Sequence, residues 1–243
     1  MKYTFELALN EESFDNSGNI RPNKILSIFE QAATTHGNML GVSFENMLKK
    51  GLLWVVTRVY YNVCGKANVG QQVKVITWPL APSRVGYERD YVVSDLEGNP
   101  IIKGVSNWAL IDSETRKLAA VTQLYNTDNF CEERAVGERV RRIKKFEADA
   151  VGSIVPDASM IDRNGHVNNT NYAVFAEKAL GGFAGNIAAF QIDYHREVMC
   201  GQPLSLSALS YSGNALVKGE DAEGALMFCC SVDFSSADAS EPA

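Results

Sequence analysis

Cysteine pairs at ligand spacing and long apolar runs are both missing from this 243-residue chain. Its five cysteines (Cys64, Cys131, Cys200, Cys229 and Cys230) are odd in number and include no Cys-x-x-Cys. A disulfide framework and a metal site of the local-spacing kind are both poor readings, and reduced thiols in a cytoplasmic protein are expected. No run of about 18 apolar residues offers a membrane span. The opening MKYTFELALN has neither an apolar h-region nor a small-residue cleavage site, so no signal peptide is expected. A basic excess is absent too: 23 Lys and Arg stand against 29 Asp and Glu, a net charge of −6. That balance argues against a nucleic-acid partner and for simple solubility. Histidine numbers only three, which narrows the search for acid–base chemistry.

What is present is an ordinary globular composition, 46% hydrophobic and 21% charged, with length enough for a buried core. One stretch concentrates chemistry: residues 161–180, IDRNGHVNNTNYAVFAEKAL. Asp162, Asn164 and His166 alternate there, and alternation in an extended segment projects all three side chains to one side. An amphipathic run follows, and a helix start brings unpaired N–H groups and a positive dipole end. Asn168 and Asn169 are capping types and are read as structural.

The chain also matches itself. Residues 14–33, FDNSGNIRPNKILSIFEQAA, lie without gaps over 161–180, so that Asp15 meets Asp162, Gly18 meets Gly165, Glu30 meets Glu177 and Ala32 meets Ala179. Ile25, Ile28, Phe29, Ala32 and Ala33 form one helical stripe, and Tyr172, Phe175, Ala176, Ala179 and Leu180 repeat it. A duplicated unit is the reading. Strand-like runs follow each copy: 53–63, 73–78, 87–94 and 101–111 in the first half, 187–195, 204–211, 215–219 and 225–234 in the second. Each half therefore reads strand, helix, then antiparallel strands, an α+β unit in which a long helix is wrapped by a sheet. The expected division is 1–125, a charged linker 126–145, a second unit 146–234, and a disordered tail 235–243.

Three segments in order carry a family likeness: LLWVVTRVYYNV from Leu52, IDRNGHVNNTNY from Ile161, and DYHREV from Asp193. The chain resembles the acyl-ACP thioesterases, the family of the plant plastid enzymes and their bacterial relatives. The likeness implies two tandem hotdog units forming an internal pseudo-dimer, and hydrolysis of the thioester of fatty acyl-ACP in fatty acid biosynthesis. Position by position, it implies a catalytic group of Asp162, Asn164, His166 and Glu197, with no cofactor and no metal. Hydrolysis needs a base for water, a group orienting that base, and donors for the oxyanion. Glu197 or His166 fits the first role, with Glu197 preferred. Asn164 and Asp162 fit the second, and backbone N–H groups near Gly165 the third. Some family members carry Cys after the glutamate; here Val198 stands there and Cys200 is off the face of Glu197, so direct attack by water is favoured.

The first copy has Ser17 and Asn19 where the second has Asn164 and His166. One site is therefore expected, leaving the first half free to shape an acyl pocket, with Ile28, Met39, Leu40 and Trp54 as candidate lining. The basic run Arg139, Arg141, Arg142, Lys144 and Lys145 is a candidate docking surface for an acidic acyl carrier protein, by charge steering. The expected partner is that carrier, with no nucleic acid and no membrane, the chain standing alone or as a homodimer. An acyl-CoA thioesterase with the same site, and a non-catalytic acyl-thioester binding module, stay open as alternatives. His36, near the end of the first predicted helix, reads as a capping or surface residue.

Overall fold

The computed structural model describes residues 1–83, 86–120, 124, 127–137, 140–183 and 185–235. Its contacts group the chain into two compact units, Met1–Glu11 with Leu26–Arg141, and Glu12–Ile25 with everything from Arg142 onward.

The first unit holds strands β1 (Tyr3–Ala8), β2 (Leu52–Val63), β3 (Gln72–Pro79), β4 (Tyr87–Ser94) and β5 (Pro100–Asp112). They lie antiparallel in the order β1-β3-β4-β5-β2. Most of helix α1 (Pro22–Met39) and the short α2 (Phe44–Leu48) complete it. The stripe read from the sequence is the buried face of α1: Ile25, Ile28, Phe29, Ala32 and Ala33 are all inside. Phe29 stacks flat on Tyr91, centroids 4.1 Å apart, and meets Tyr61 edge-on. Gly104 of β5 makes this close approach possible. A Cβ there would run into the Phe29 ring and the Tyr60 carbonyl oxygen, so any side chain would force the ring or the adjoining strand to shift.

His36 departs from expectation. It is wholly buried, its ring stacked against Tyr3 of β1, and its Nδ1 lies 2.9 Å from the Nη1 donor of Arg89. Burial first, then the Arg89 cation, holds the imidazole pKa down at about 4. The residue is part of a neutral core contact, because a second positive charge beside a buried guanidinium would have no solvent to screen it.

The second unit holds β6 (Asp149–Ile154), α3 (Asn171–Ala179), β7 (Ile187–Tyr194), β8 (Leu204–Tyr211), β9 (Asn214–Glu220) and β10 (Leu226–Phe234). Here the order is β7-β10-β9-β8-β6, again antiparallel. Tyr172 and Phe175 of α3 pack against Phe228 of β10, whose ring covers Gly219 on the neighbouring strand. The repeated stripe is only partly buried, since α3 ends at Ala179 and leaves Ala179 and Leu180 half-exposed. The strands read from the sequence are present within a residue or two, and the leading strand expected of each half is β1 or β6. The expected linker stretch is pinned down at two points: Val140 O accepts from Arg58, and the N–H of Ile143 donates to Asp193. No helix among the described residues is long and apolar enough to cross a membrane. The expected disordered tail lies, from residue 236, outside the described residues.

Candidate active site

The site is built on a tight loop, where the alternation in sequence suggested an extended segment. Ile161 and Val167 pair across its base, and residues 163–165 turn between them. Asp162 closes the turn with its own carboxylate: Oδ1 accepts from the N–H of Asn164 at 2.7 Å and of His166 at 3.3 Å. Oδ2 accepts from the Asn164 amide at 3.3 Å. An aspartate at the head of a turn does this because its short side chain reaches the amides two to four residues on. Gly165 sits at φ +83°, the left-handed region that glycine enters without penalty. Its N–H, expected to serve an oxyanion, turns inward and donates to Asp162 O at 3.1 Å.

The far leg of the loop then runs beside residues 198–199. Val167 N–H donates to Val198 O at 2.8 Å, and His166 bridges to Met199. This pairing sets His166 next to Glu197, with Nε2 3.4 Å from Oε2. The His166 side chain keeps 23% of its exposure and Glu197 45%, so both reach solvent water. The structure thus brings Asp162, Asn164, His166 and Glu197 together on one loop and on the segment that follows β7. Asn168 caps the next turn, its Oδ1 accepting from Thr170 N–H and Oγ1, which leads into α3.

Tyr172 was hidden in the sequence as one more member of a helical stripe. It is buried beneath the group, held by the Val198 backbone, and close enough to Glu197 and Asp162 that their charges join burial in pushing its phenol well up. Its place on the first turn of the helix after the loop is the signal that marks it.

The remaining candidates lie in the first unit or on its border. Leu40 and Trp54 pack on a cluster of Val42, Met47, Tyr87 and Leu110, and the Trp54 indole donates to Val42 O. Ile28 is buried in the α1 stripe, while Met39 is 61% exposed at the end of that helix. Arg141, Arg142, Lys144 and Lys145 are all exposed; Arg139 lies outside the described residues.

In each unit, five antiparallel strands with a helix laid on one face make a hotdog architecture. Solved structures share it along nearly the whole chain. An acyl-ACP thioesterase from Bacteroides thetaiotaomicron superposes with a TM-score of 0.88 at 24% identity, covering 96% of this chain and 98% of that one. A 12:0-ACP thioesterase from Umbellularia californica does so at 0.86 and 21%, covering 96% of each. Residues 1–128 match the family model described as the acyl-ACP thioesterase N-terminal domain. The chain belongs to the acyl-ACP thioesterase family. A chloroplastic palmitoyl-acyl carrier protein thioesterase of Arabidopsis thaliana is 28% identical over 229 residues, 86% of this chain and 54% of that protein. The chain spans about half the length of the curated relatives it matches.

Proposed function

We propose that this protein hydrolyses the thioester of fatty acyl-ACP, releasing a free fatty acid and the carrier's thiol. The observation that carries the reading is the His166–Glu197 contact of 3.4 Å beside a loop locked by Asp162, in a chain of this family. Water attacks the thioester carbonyl carbon while Glu197 takes its proton. Collapse of the tetrahedral intermediate breaks the C–S bond, and His166, facing Glu197, returns a proton to the leaving sulfur. Asp162 fixes the loop, and Asn164, exposed beside it, orients water and the developing oxyanion. The Leu40–Trp54 cluster is the proposed start of the acyl pocket. The exposed Arg141, Arg142, Lys144 and Lys145 steer an acidic carrier, and five free cysteines suit a reducing compartment such as the cytoplasm.

The test is release of thiol from acyl-ACPs and matching acyl-CoAs of graded length, with wild type beside His166→Ala and Glu197→Ala. Fast release from acyl-ACP, lost in both variants, is expected. Equal rates on acyl-CoA would move the substrate to that carrier. Tight acyl binding without release would make the protein a binder. Neutralising Arg141, Arg142 and Lys144 should raise KM for acyl-ACP alone, and an unchanged KM at low salt would remove the docking surface.

A further inference from the structure

Across β7, β10 and β9, strand register lines up a second group of reactive side chains that the hydrolytic chemistry does not use. Asp193 pairs with Cys229, and Cys229 pairs with Lys218. Directly opposed residues point to the same face of a sheet. Tyr194 and Phe228 turn to the α3 side, where both contact Tyr172. Asp193 and Cys229 therefore face the other way, beneath the segment 142–146. They lie at a groove of about 490 Å³ whose lining includes Arg142, Lys144, Lys145, Lys218, His195 and Cys229.

Beside that groove the oxygen, nitrogen and sulfur of Asp193, His195 and Cys229 all fall within 4.8 Å of one another. Cys229 Sγ stands 3.6 Å from His195 Nε2. Two ligands of one tetrahedral zinc ion, at bond lengths of about 2.3 Å for sulfur and about 2.05 Å for nitrogen, are about 3.6 Å apart. The cysteine–histidine pair is thus already at ligand separation, and the carboxylate oxygen lies within 4.8 Å of both. Asp193 is buried, and its orientation is fixed by the Ile143 N–H on Oδ2 and the Gln191 amide on Oδ1, outer bonds of the kind that hold a metal ligand in place. His195 follows the last residue of β7 and is exposed, so water and ions reach it.

We propose that Asp193, His195 and Cys229 form a binding site for a zinc-class transition-metal ion. One soft thiolate, one imidazole and one carboxylate suit Zn²⁺ and Co²⁺ and disfavour Mg²⁺ or Ca²⁺, which prefer oxygen alone. The thiolate and carboxylate neutralise a divalent ion, and of the basic side chains around the groove Lys218 is already paired with Glu220, which lines it too. The fourth position opens to that basic groove and takes water, hydroxide or a small anion. Binding takes the proton from the Cys229 thiol, so affinity rises with pH.

Cobalt is the direct probe, because thiolate ligation gives a near-ultraviolet charge-transfer band. The full chain, reduced and freed of metal by chelator, is titrated with Co²⁺ and then with Zn²⁺. A single Co²⁺ should bind with that band, and Zn²⁺ should displace it. Cys229→Ser should abolish the band, and His195→Ala should weaken Zn²⁺ affinity roughly 100-fold or more, beyond the usual cost of losing a supporting residue. Cys200→Ser, at an exposed cysteine outside the cluster, should change neither. No band in the wild type, a band that follows Cys200, or Zn²⁺ affinity unmoved by His195→Ala would each overturn the proposal. His195 is exposed, so that variant keeps the test valid even if Cys229→Ser fails to fold. The readout is metal binding and is independent of thioester hydrolysis.

Discussion

Two loops of this chain are the same object put to different uses. In residues 14–20, Phe14 pairs with Ile20, and Asp15 Oδ1 accepts from Ser17 and Asn19 N–H at 2.9 Å each. Asp15 N–H donates to Asn19 O, as Asp162 N–H does to His166 O, and Gly18 sits at φ +81° where Gly165 sits at +83°. The backbone bonds and the role of Oδ1 coincide, while Oδ2 accepts from Asn19 in the first loop and from Asn164 in the second. Two differences bear on the chemistry, Ser17 against Asn164 in the turn and Asn19 against His166 on the far leg. Asn19 spends its amide on structure, donating to Asp15 and to Gly185 O at 3.0 Å while its Oδ1 accepts from Ile187 N–H. His166, at the matching place, faces Glu197. Both loops belong by contact to the second unit, so the first copy anchors the entry of β7 in the unit that carries the site. An Asp-closed turn is a rigid mount, and the side chains it carries, with the acid placed beside them, decide whether it is a brace or the proposed reactive group.

The largest expected effect separates the two mounts outright. His166→Ala and Glu197→Ala should each lower kcat for thioester hydrolysis by roughly 10²- to 10⁴-fold, the span of a lost acid or base, with melting little changed. Asn19→His should create no second site, because the carboxylate that Asn19 meets is Asp15, already committed to closing its own turn, and not a separate acid as Glu197 is to His166. A gain of activity in Asn19→His, or retained activity in His166→Ala, would erase the functional contrast.

Acidity has to be handled before that contrast is tested by pH, since His36 adds a sensitivity of its own. Its folded pKa of about 4 lies below the usual 6.5, so the stability it contributes above pH 6.5 is lost as pH falls through 4. Asp90 runs the other way. Burial raises its carboxyl to about 6, so its contribution is present below the ordinary 3.8 and lost as pH rises through 6. The two slopes oppose each other between about pH 4 and 6.5. Asp90→Asn removes one of them, and the variant should lose roughly 3 kcal/mol more than the wild type over that interval. Urea unfolding at pH 4 and 6.5 reads this: parallel curves would show that the Asp90 carboxyl is not raised, and a variant that loses no stability toward pH 4 would show that His36 is not held neutral in the core.

The sequence carried most of this, though not always for the right reason. β-branched and aromatic runs marked β2 to β5 and β7 to β10, because strands packed against a helix need them. β6 is short and largely exposed, with only Ile154 buried and Gly152 at φ +150°, so its apolar residues make no period-2 pattern to mark it. Asp162, Asn164 and His166 were legible as a motif, yet they converge through an Asp-closed turn and not through strand alternation. His36 looked superficial because helix position alone cannot show that Tyr3 and Arg89 close over it. The Asp193–Cys229 pairing was invisible to spacing rules, since register, and not distance along the chain, creates it.

A smaller effect tests the brace. Asn19→Ala removes every bond its amide makes, leaving Gly185 O and Ile187 N–H to water at the entry of β7. The expected loss is about 1–2 kcal/mol of stability, with kcat within about twofold of wild type. A large fall in kcat with stability intact would mean that the first loop acts on the chemistry.

The smallest effect asks whether the mounts are mechanically equal. Gly18 and Gly165 share the left-handed conformation, and a Cβ on either would meet nothing within 4 Å. The cost of Gly18→Ala or Gly165→Ala is therefore backbone strain alone, about 1 kcal/mol in each case. Equal losses in urea unfolding are expected, and a gap above about 1 kcal/mol would show that the loops carry different strain. Activity should break the symmetry, since Gly165 directly precedes His166 and a displacement of about 1 Å at a reacting group can cost 10²-fold. Gly18→Ala shifts only Asn19, whose bonds brace β7 and touch no substrate. Equal stability with unequal kcat is the result that only a shared scaffold with divided roles can give.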